Sequence, residues 1–288
     1  MSEATPPSVY AVKFGADVFQ QAKNSGSVLL PHVYNKGMVT GKAFTQPRIG
    51  TWSMKDKGAR GAKNEQNDPV LSNRYISLST KEDSRVWTQD DEWKMIAAIG
   101  SPAMMAAASS VGQTIDEVIA AALGGVAKAG EGGGTDVALP TSQKILNGSS
   151  NLTVSKIINA AKILDTNRVA KSDRVLAISP SGLHALLTDQ KATSSDYMNV
   201  KALMAGDINT FYGFTVVMTQ DLPVASNVRS CFAFHKNSLC LGFNKEPVFK
   251  FDELIDQSYD KQIFYTMGLG AGRLEEESVV QIDILETA

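Results

Sequence analysis

Apolar positions recur along this chain in two rhythms that alternate several times. From Met104 onward, Ala108, Val111, Ile115, Val118, Ile119 and Ala122 fall at intervals of three and four, which lines them along one side of an α-helix. Ser101-Pro102 supplies an N-cap and a first-turn proline, and Gly124-Gly125 ends the run. This is the longest helix the pattern predicts, about 33 Å at 1.5 Å per residue. Its face is narrow and alanine-rich, so other elements can approach it closely. Helical spacing also appears over residues 9–22, 90–99, 152–164 and 181–188. Strand character, with β-branched or alternating apolar residues, marks 27–33, 44–51, 75–78, 85–87, 174–178, 248–254, 261–267 and 278–285. Two more apolar runs, 230–234 and 239–243, flank His-Lys-Asn-Ser and read as a hairpin. Residues 194–223 read as a short helix, a Gly-Asp turn and a strand, with no nucleophile or metal ligand in them.

One segment breaks both rhythms. Residues 55–69, KDKGARGAKNEQNDP, contain no large apolar side chain and are too long for a tight turn. With the flanking strands, 41–87 reads as a two-stranded arm with a polar tip. From Gly41 to Arg74 there are seven basic residues against three acidic ones, a net +4. Residues 271–288 carry one basic residue (Arg273) against five acids, a net −4. A two-stranded ribbon is marginal alone, so such an arm makes sense where another subunit supplies a surface for it.

Composition adds limits. The chain has 288 residues, 43% of them hydrophobic, enough for a sizeable core. A net charge of −2 gives no general grip on nucleic acid. No basic segment followed by an apolar run opens the chain, so no signal peptide is expected. The longest low-charge stretch, 101–126, carries Asp116 and Glu117 and does not read as a membrane span. Cys231 and Cys240 lack metal or redox spacing and read as reduced apolar residues, with a disulfide across the expected hairpin as the alternative.

Candidate chemistry is thin. GLGAGR (268–273) contains GxGxG, but three glutamates and a strand follow it, where a dinucleotide fold needs a helix N-terminus. It reads as a glycine-rich bend between strands. GEGGGT (130–135) lacks the Lys-Ser/Thr ending of a phosphate loop and reads as a flexible turn. Ser179 and Ser181, near His184, follow a strand and precede a helix, but the G-x-S-x-G elbow is absent, so they read as a helix cap. His32, His184 and His235 show no metal-ligand spacing. No catalytic residue, cofactor site or metal site is assigned.

The order of elements carries more than any single motif. DEWKMIAAIGSPAMMAAASSVGQTIDEVIAAALGG (91–125), VLAISPSGLHALLTDQKATSSDYMNVKALMAGDINTFYGFTVVMTQDLP (175–223), CFAFHKNSLCLGFNKEP (231–247) and AGRLEEESVVQIDI (271–284) together resemble the major capsid proteins of tailed bacteriophages, whose fold is named after phage Hong Kong 97. The resemblance extends over nearly the whole chain.

It implies an α+β, Hong Kong 97-like capsid fold in four parts. These are an N-terminal arm (1–40), an extended β-hairpin E-loop (41–80), a peripheral domain with a long spine helix (81–150 and 251–288) and an axial domain (151–250). It implies a major capsid protein that assembles with itself into pentamers and hexamers of an icosahedral shell, located in the virion and built in the host bacterial cytoplasm. Such a shell encloses double-stranded DNA without reading its sequence and has no membrane partner. The short arm before the first strands implies a separate scaffolding protein or none, and portal and decoration proteins are further possible partners. In the family the E-loop lies over a neighbour's peripheral domain. Lys55, Lys57, Arg60 and Lys63 are therefore expected to meet a neighbour's Glu275, Glu276 and Glu277. An encapsulin-like shell around cargo enzymes is the alternative within the fold, and an α/β hydrolase-like enzyme is the alternative outside it.

Overall fold

The computed structural model describes residues 26–50, 71–87, 100–188, 210–256 and 259–286, together with Trp52, Met54, Asp56, Asp68 and Val70. The helices expected over 9–22 and 90–99, most of the polar tip, and 194–209 lie outside the described residues. In chain order the elements begin with β1 (Tyr34–Met38), β2 (Ala43–Ile49), β3 (Leu71–Ser77), β4 (Ser79–Trp87) and the long helix α1 (Gly100–Gly124). There follow β5 (Ala127–Ala129), β6 (Thr135–Val137), β7 (Lys144–Ile145), α2 (Val154–Thr166), β8 (Arg174–Ile178) and α3 (Pro180–Thr188). The rest are strands: β9 (Thr210–Phe211), β10 (Phe214–Met218), β11 (Val224–Ala225), β12 (Val228–His235), β13 (Leu239–Leu254), β14 (Asp260–Arg273) and β15 (Val279–Leu285).

These strands form three sheets. One has the order β1-β13-β14-β4, and a second β2-β3-β5-β6. The third is seven-stranded, ordered β7-β15-β12-β8-β10-β9 with β11 also on β12. Its strand β8, RVLAI, is buried at every position, and β12 and β10 pair with its two edges. Strand β15 keeps the expected alternation: Val280, Ile282 and Ile284 are buried, while Gln281, Asp283 and Leu285 are partly exposed. It pairs with β12 and β7, so its home is the seven-stranded sheet and not the sheet of β13 and β14. Lys156 on α2 is buried, and its ammonium shares its three protons among the carbonyls of Asn147, Ser150, Asn151 and Asp283, tying the 147–151 loop to β15. Burial pulls its pKa down from the usual lysine value.

Helix α1 starts at Gly100, one residue before the expected Ser-Pro opening. Its buried stripe is Ala107, Val111, Ile115, Ile119 and Leu123, with Ala120 beside it. The expected first member, Met104, is 38% exposed, so the stripe begins three residues later. Asp116 is also buried, and its carboxylate accepts from the amides of Val28 and Leu29 at 2.9 and 3.0 Å and from the Ser27 hydroxyl. That explains why 27–33 is not the expected strand. Its amides are spent on Asp116, and Pro31 sits in a 3-10 turn over Leu30–His32. The crossing is close: a Cβ on Gly112 would stand 2.6 Å from the Gly26 carbonyl carbon.

Two further expectations fail for topological reasons. The runs 230–234 and 239–243 are not a hairpin. Strand β12 belongs to the seven-stranded sheet and β13 pairs with β14 and β1, with a 3-10 turn over Lys236–Ser238 at the crossing. Cys231 and Cys240 therefore lie in different sheets, both free and buried, and burial pushes their thiols up to about 12 and about 11. GLGAGR is not a bend but the end of β14. Its glycines admit the second sheet. A Cβ on Gly270 would lie 2.1 Å from the Ser77 carbonyl oxygen, and one on Gly272 would lie 2.5 Å from Ile76. GEGGGT turns between β5 and β6, with Gly130 and Gly133 at positive φ.

Candidate functional site: the acidic corner beneath the ribbon

Strands β2 and β3 pair from Ala43↔Ser77 out to Ile49↔Leu71 as a two-stranded ribbon, and β3 meets β5 only at Arg74 and Tyr75. Arg48 and Arg74 stand on neighbouring strands and both reach the segment after β14. Arg74 is buried, and its Nη2 donates to both Glu276 oxygens at 2.8 and 2.6 Å while its Nε donates to the Leu274 carbonyl at 3.1 Å. Arg48 Nη1 donates to the same carbonyl at 3.0 Å and lies 3.5 Å from Glu276 Oε2. Bonds from Nε to a carbonyl and from Nη2 to a mostly buried carboxylate hold the Arg74 guanidinium at two points, and the charge-assisted one is the stronger.

Beneath them Arg273 is fully buried. Its Nη1 donates to the carbonyls of Leu123 and Gly125, and its Nη2 to that of Val137. It thus satisfies open carbonyls at the C-terminal end of α1, where the helix dipole favours a cation. Burial lowers its pKa, and Glu276, 3.7 Å from Nε, pulls the other way.

Glu275 and Glu277, on either side of Glu276, are exposed. The expected contact residues thus divide. Glu276 is engaged within its own chain by Arg48 and Arg74, both of which belong to the basic excess of the arm. Lys55, Lys57, Arg60 and Lys63 lie outside the described residues. Toward its outer end the described ribbon exposes Ile49 (62%), Trp52 (75%), Met54 (103%), Val70 (70%) and Leu71 (67%). A charge count could not show this apolar edge, although the residue types were visible.

The serine and histidine candidates form no reactive group. Ser179 is fully buried; its hydroxyl accepts from the Gly182 amide at 3.1 Å, as a helix cap does, and donates to Glu286. Ser181 accepts from Asn151, and His184 is exposed on α3. Among the described residues no group of His, Cys, Asp and Glu could hold a metal ion. No described helix is long and apolar enough to cross a membrane.

Glycine crossings bring the first and second sheets together, and the β2–β3 ribbon presents an exposed apolar edge. A family model described as phage capsid protein matches residues 7–286, and the chain belongs to that family. Solved structures agree on the fold. One of Mycobacterium phage Che8 matches with a TM-score of 0.72 at 16% identity, covering 95% of this chain and 97% of the other. The capsid of Ralstonia phage GP4 gives 0.73 at 10% identity, covering 100% and 98%. The capsid of cyanophage P-SCSP1u gives 0.69 at 15%, covering 97% and 94%. No curated protein sequence matches significantly. The chain is a major capsid protein, which associates with itself into the icosahedral shell of the virion, and it is not an enzyme.

Proposed function

We propose that this chain builds its shell in the Hong Kong 97 manner, as pentamers and hexamers assembled in the host bacterial cytoplasm around double-stranded DNA. In this reading the β2–β3 ribbon is the E-loop and α1 the spine helix. The arm spans 1–40, the E-loop 41–80, the peripheral domain 81–150 and 251–288, and the axial domain 151–250. The pairing of β15 with β12 supports one shift: residues 279–285 go with the axial sheet. A separate scaffolding protein, a portal and a decoration protein are proposed partners. The observation that carries the reading is the ribbon, whose outer apolar residues are exposed in the single chain.

The E-loop is proposed to lie on a neighbouring copy. Lys55, Lys57, Arg60 and Lys63 face that copy's Glu275 and Glu277, the two acids that Arg48 and Arg74 leave unpaired. Each exposed pair is worth about 0–1 kcal/mol, so repetition around the shell gives orientation and salt sensitivity. Negative-stain images of assembled protein test the capsomers: a lattice without five- and six-fold units would refute the reading. The nucleic acid content of particles from infected cells tests the cargo, because an encapsulin-like shell would hold protein.

A further inference from the structure

Asn147-Gly148 is the one Asn-Gly pair in the sequence, and it lies in the loop between β7 and α2. The Ser150 amide donates to the Asn147 carbonyl at 3.0 Å, closing a turn whose central residues, Gly148 and Ser149, have φ of 53° and 55°. The turn faces solvent. Gly148 and Ser149 are exposed, and a Cβ on Gly148 would meet nothing within 4 Å. The Gly148 N–H has no hydrogen-bond partner among the described residues.

One oxygen of this turn collects three donors. The Asn147 carbonyl accepts from the Ser150 amide at 3.0 Å, the Ser150 hydroxyl at 3.0 Å and the Lys156 ammonium at 2.8 Å. Lys156 is buried, and bonds to the carbonyls of Ser150, Asn151 and Asp283 keep its ammonium in place. A cation and two dipoles aimed at a carbonyl oxygen stabilise negative charge on it. That oxygen and the Gly148 nitrogen belong to one delocalised peptide group. The anion left when the nitrogen gives up its proton is therefore stabilised as well. Such a nitrogen is the nucleophile that closes a five-membered imide on the preceding asparagine side chain, and glycine puts no side chain in its way.

We infer that Asn147 is a self-modification site, at which the chain deamidates with Lys156 and Ser150 as the activating groups. Water is the only co-reactant. The Gly148 N–H gives its proton to water, its nitrogen bonds to Cγ of Asn147, and the side-chain nitrogen regains a proton and leaves as ammonia. Water then opens the imide at one of its two carbonyls. The carbonyl that faces Lys156 and Ser150 has donors in place for its developing oxyanion, so the ring opens there. The main chain then runs through the former side chain, as isoaspartate. The freed carboxylate meets the Lys156 ammonium, whose other bonds go to uncharged carbonyls. The step needs one folded chain and is independent of the shell arrangement proposed above.

Peptide mapping of the full folded chain, aged in neutral buffer, tests it. Fragmentation that separates isoaspartate from aspartate should find residue 147 converted ahead of Asn151 and Asn167, with isoaspartate as the main product. Ser150→Ala removes one donor and should slow conversion several-fold. Lys156→Gln should slow it further and lower the isoaspartate share, and Lys156→Arg, which keeps a cation, should recover much of both. Thermal unfolding shows which variants keep the fold. The natural chain unfolded in guanidinium chloride stands in for any that does not, because the donors then leave the carbonyl; it should convert more slowly and with a lower isoaspartate share than the folded chain. Equal rates and product shares in the natural, Ser150→Ala and Lys156→Gln chains would overturn the assignment. So would faster conversion in guanidinium chloride than in the folded chain, or an Asn147 that stays unmodified while other asparagines convert.

Discussion

Helix α1 turns Val111, Ile115, Ile119 and Leu123 into its own chain, and the one acid on that side, Asp116, is answered by two amides and a hydroxyl. The β2–β3 ribbon turns Ile49, Val70 and Leu71 outward, and at its base Arg48 Nε and Ser238 Oγ have no partner. The first region is complete as a single chain. The second is complete only at its arginine clamp, where Glu276 fixes the ribbon's direction, and its outer apolar side chains are left exposed. A coat protein needs both: a subunit that folds before it meets a copy, and an edge that gains stability only on meeting one.

Breaking the helix should give the largest effect. Ile115→Asp places an unpaired carboxylate in the core, where Ile115 is 6% exposed, and should cost about 4 kcal/mol or more. The expected result is loss of soluble folded chain in thermal unfolding. Normal shells from this variant would show that the stripe is not buried. Next is Glu276→Gln, which leaves the buried Arg74 without its charge partner and should cost about 2 kcal/mol. Amide exchange should accelerate in β2 and β3 more than in α1. Uniform protection across both would mean that the clamp does not hold the ribbon.

The regions also differ in how legible they were. Strongly periodic segments announced themselves: α1, α2, β8 and β15 all appear where the spacing placed them. Long-range partners did not. Asp116 lies 88 residues from Val28, and Arg74 lies 202 from Glu276. A count of +4 against −4 marked two segments of opposite charge, yet it could not tell that Arg48 and Arg74 were already spent on Glu276 inside the chain. The GxGxG run carried a visible signal that pointed wrongly. Gly270 and Gly272 answer to Ser77 and Ile76 of β3, which no local pattern reports. The burial of Gln143 and Ser238 had no sequence signal at all, because both are ordinary polar residues until the fold is known.

Smaller changes sharpen the contrast. Ser179→Ala removes a helix cap and a bond to Glu286, and should lower stability by about 1 kcal/mol while shells still form. If the variant loses assembly but not stability, Ser179 has a role beyond capping. Ile49→Ser with Leu71→Ser should change chain stability by less than about 0.5 kcal/mol, since both side chains are already in water. Shell yield should nevertheless fall, as measured by sedimentation. Equal loss of stability and assembly would place these residues in the monomer core.

The smallest expected effect is a pH dependence at the turn that Asp116 anchors. Burial, assisted by the nearby Lys236 charge, lowers the pKa of His32 below its usual 6.5. The folded chain therefore refuses a proton that the unfolded chain accepts. Stability from this source is full above pH 6.5, falls as pH drops through the interval down to the folded value, and is flat again below it. Carboxylates do not confuse the window. The Tyr265 hydroxyl holds Asp83, and Arg174 holds Asp165, below the usual 3.8, so their contributions are lost only in more acidic solution. Urea midpoints measured from pH 8 to pH 5 should drift down in the natural chain and drift less in His32→Gln. The ribbon has no described histidine, so Ile49→Ser with Leu71→Ser should keep the natural slope. An unchanged slope in His32→Gln would remove His32 as the cause.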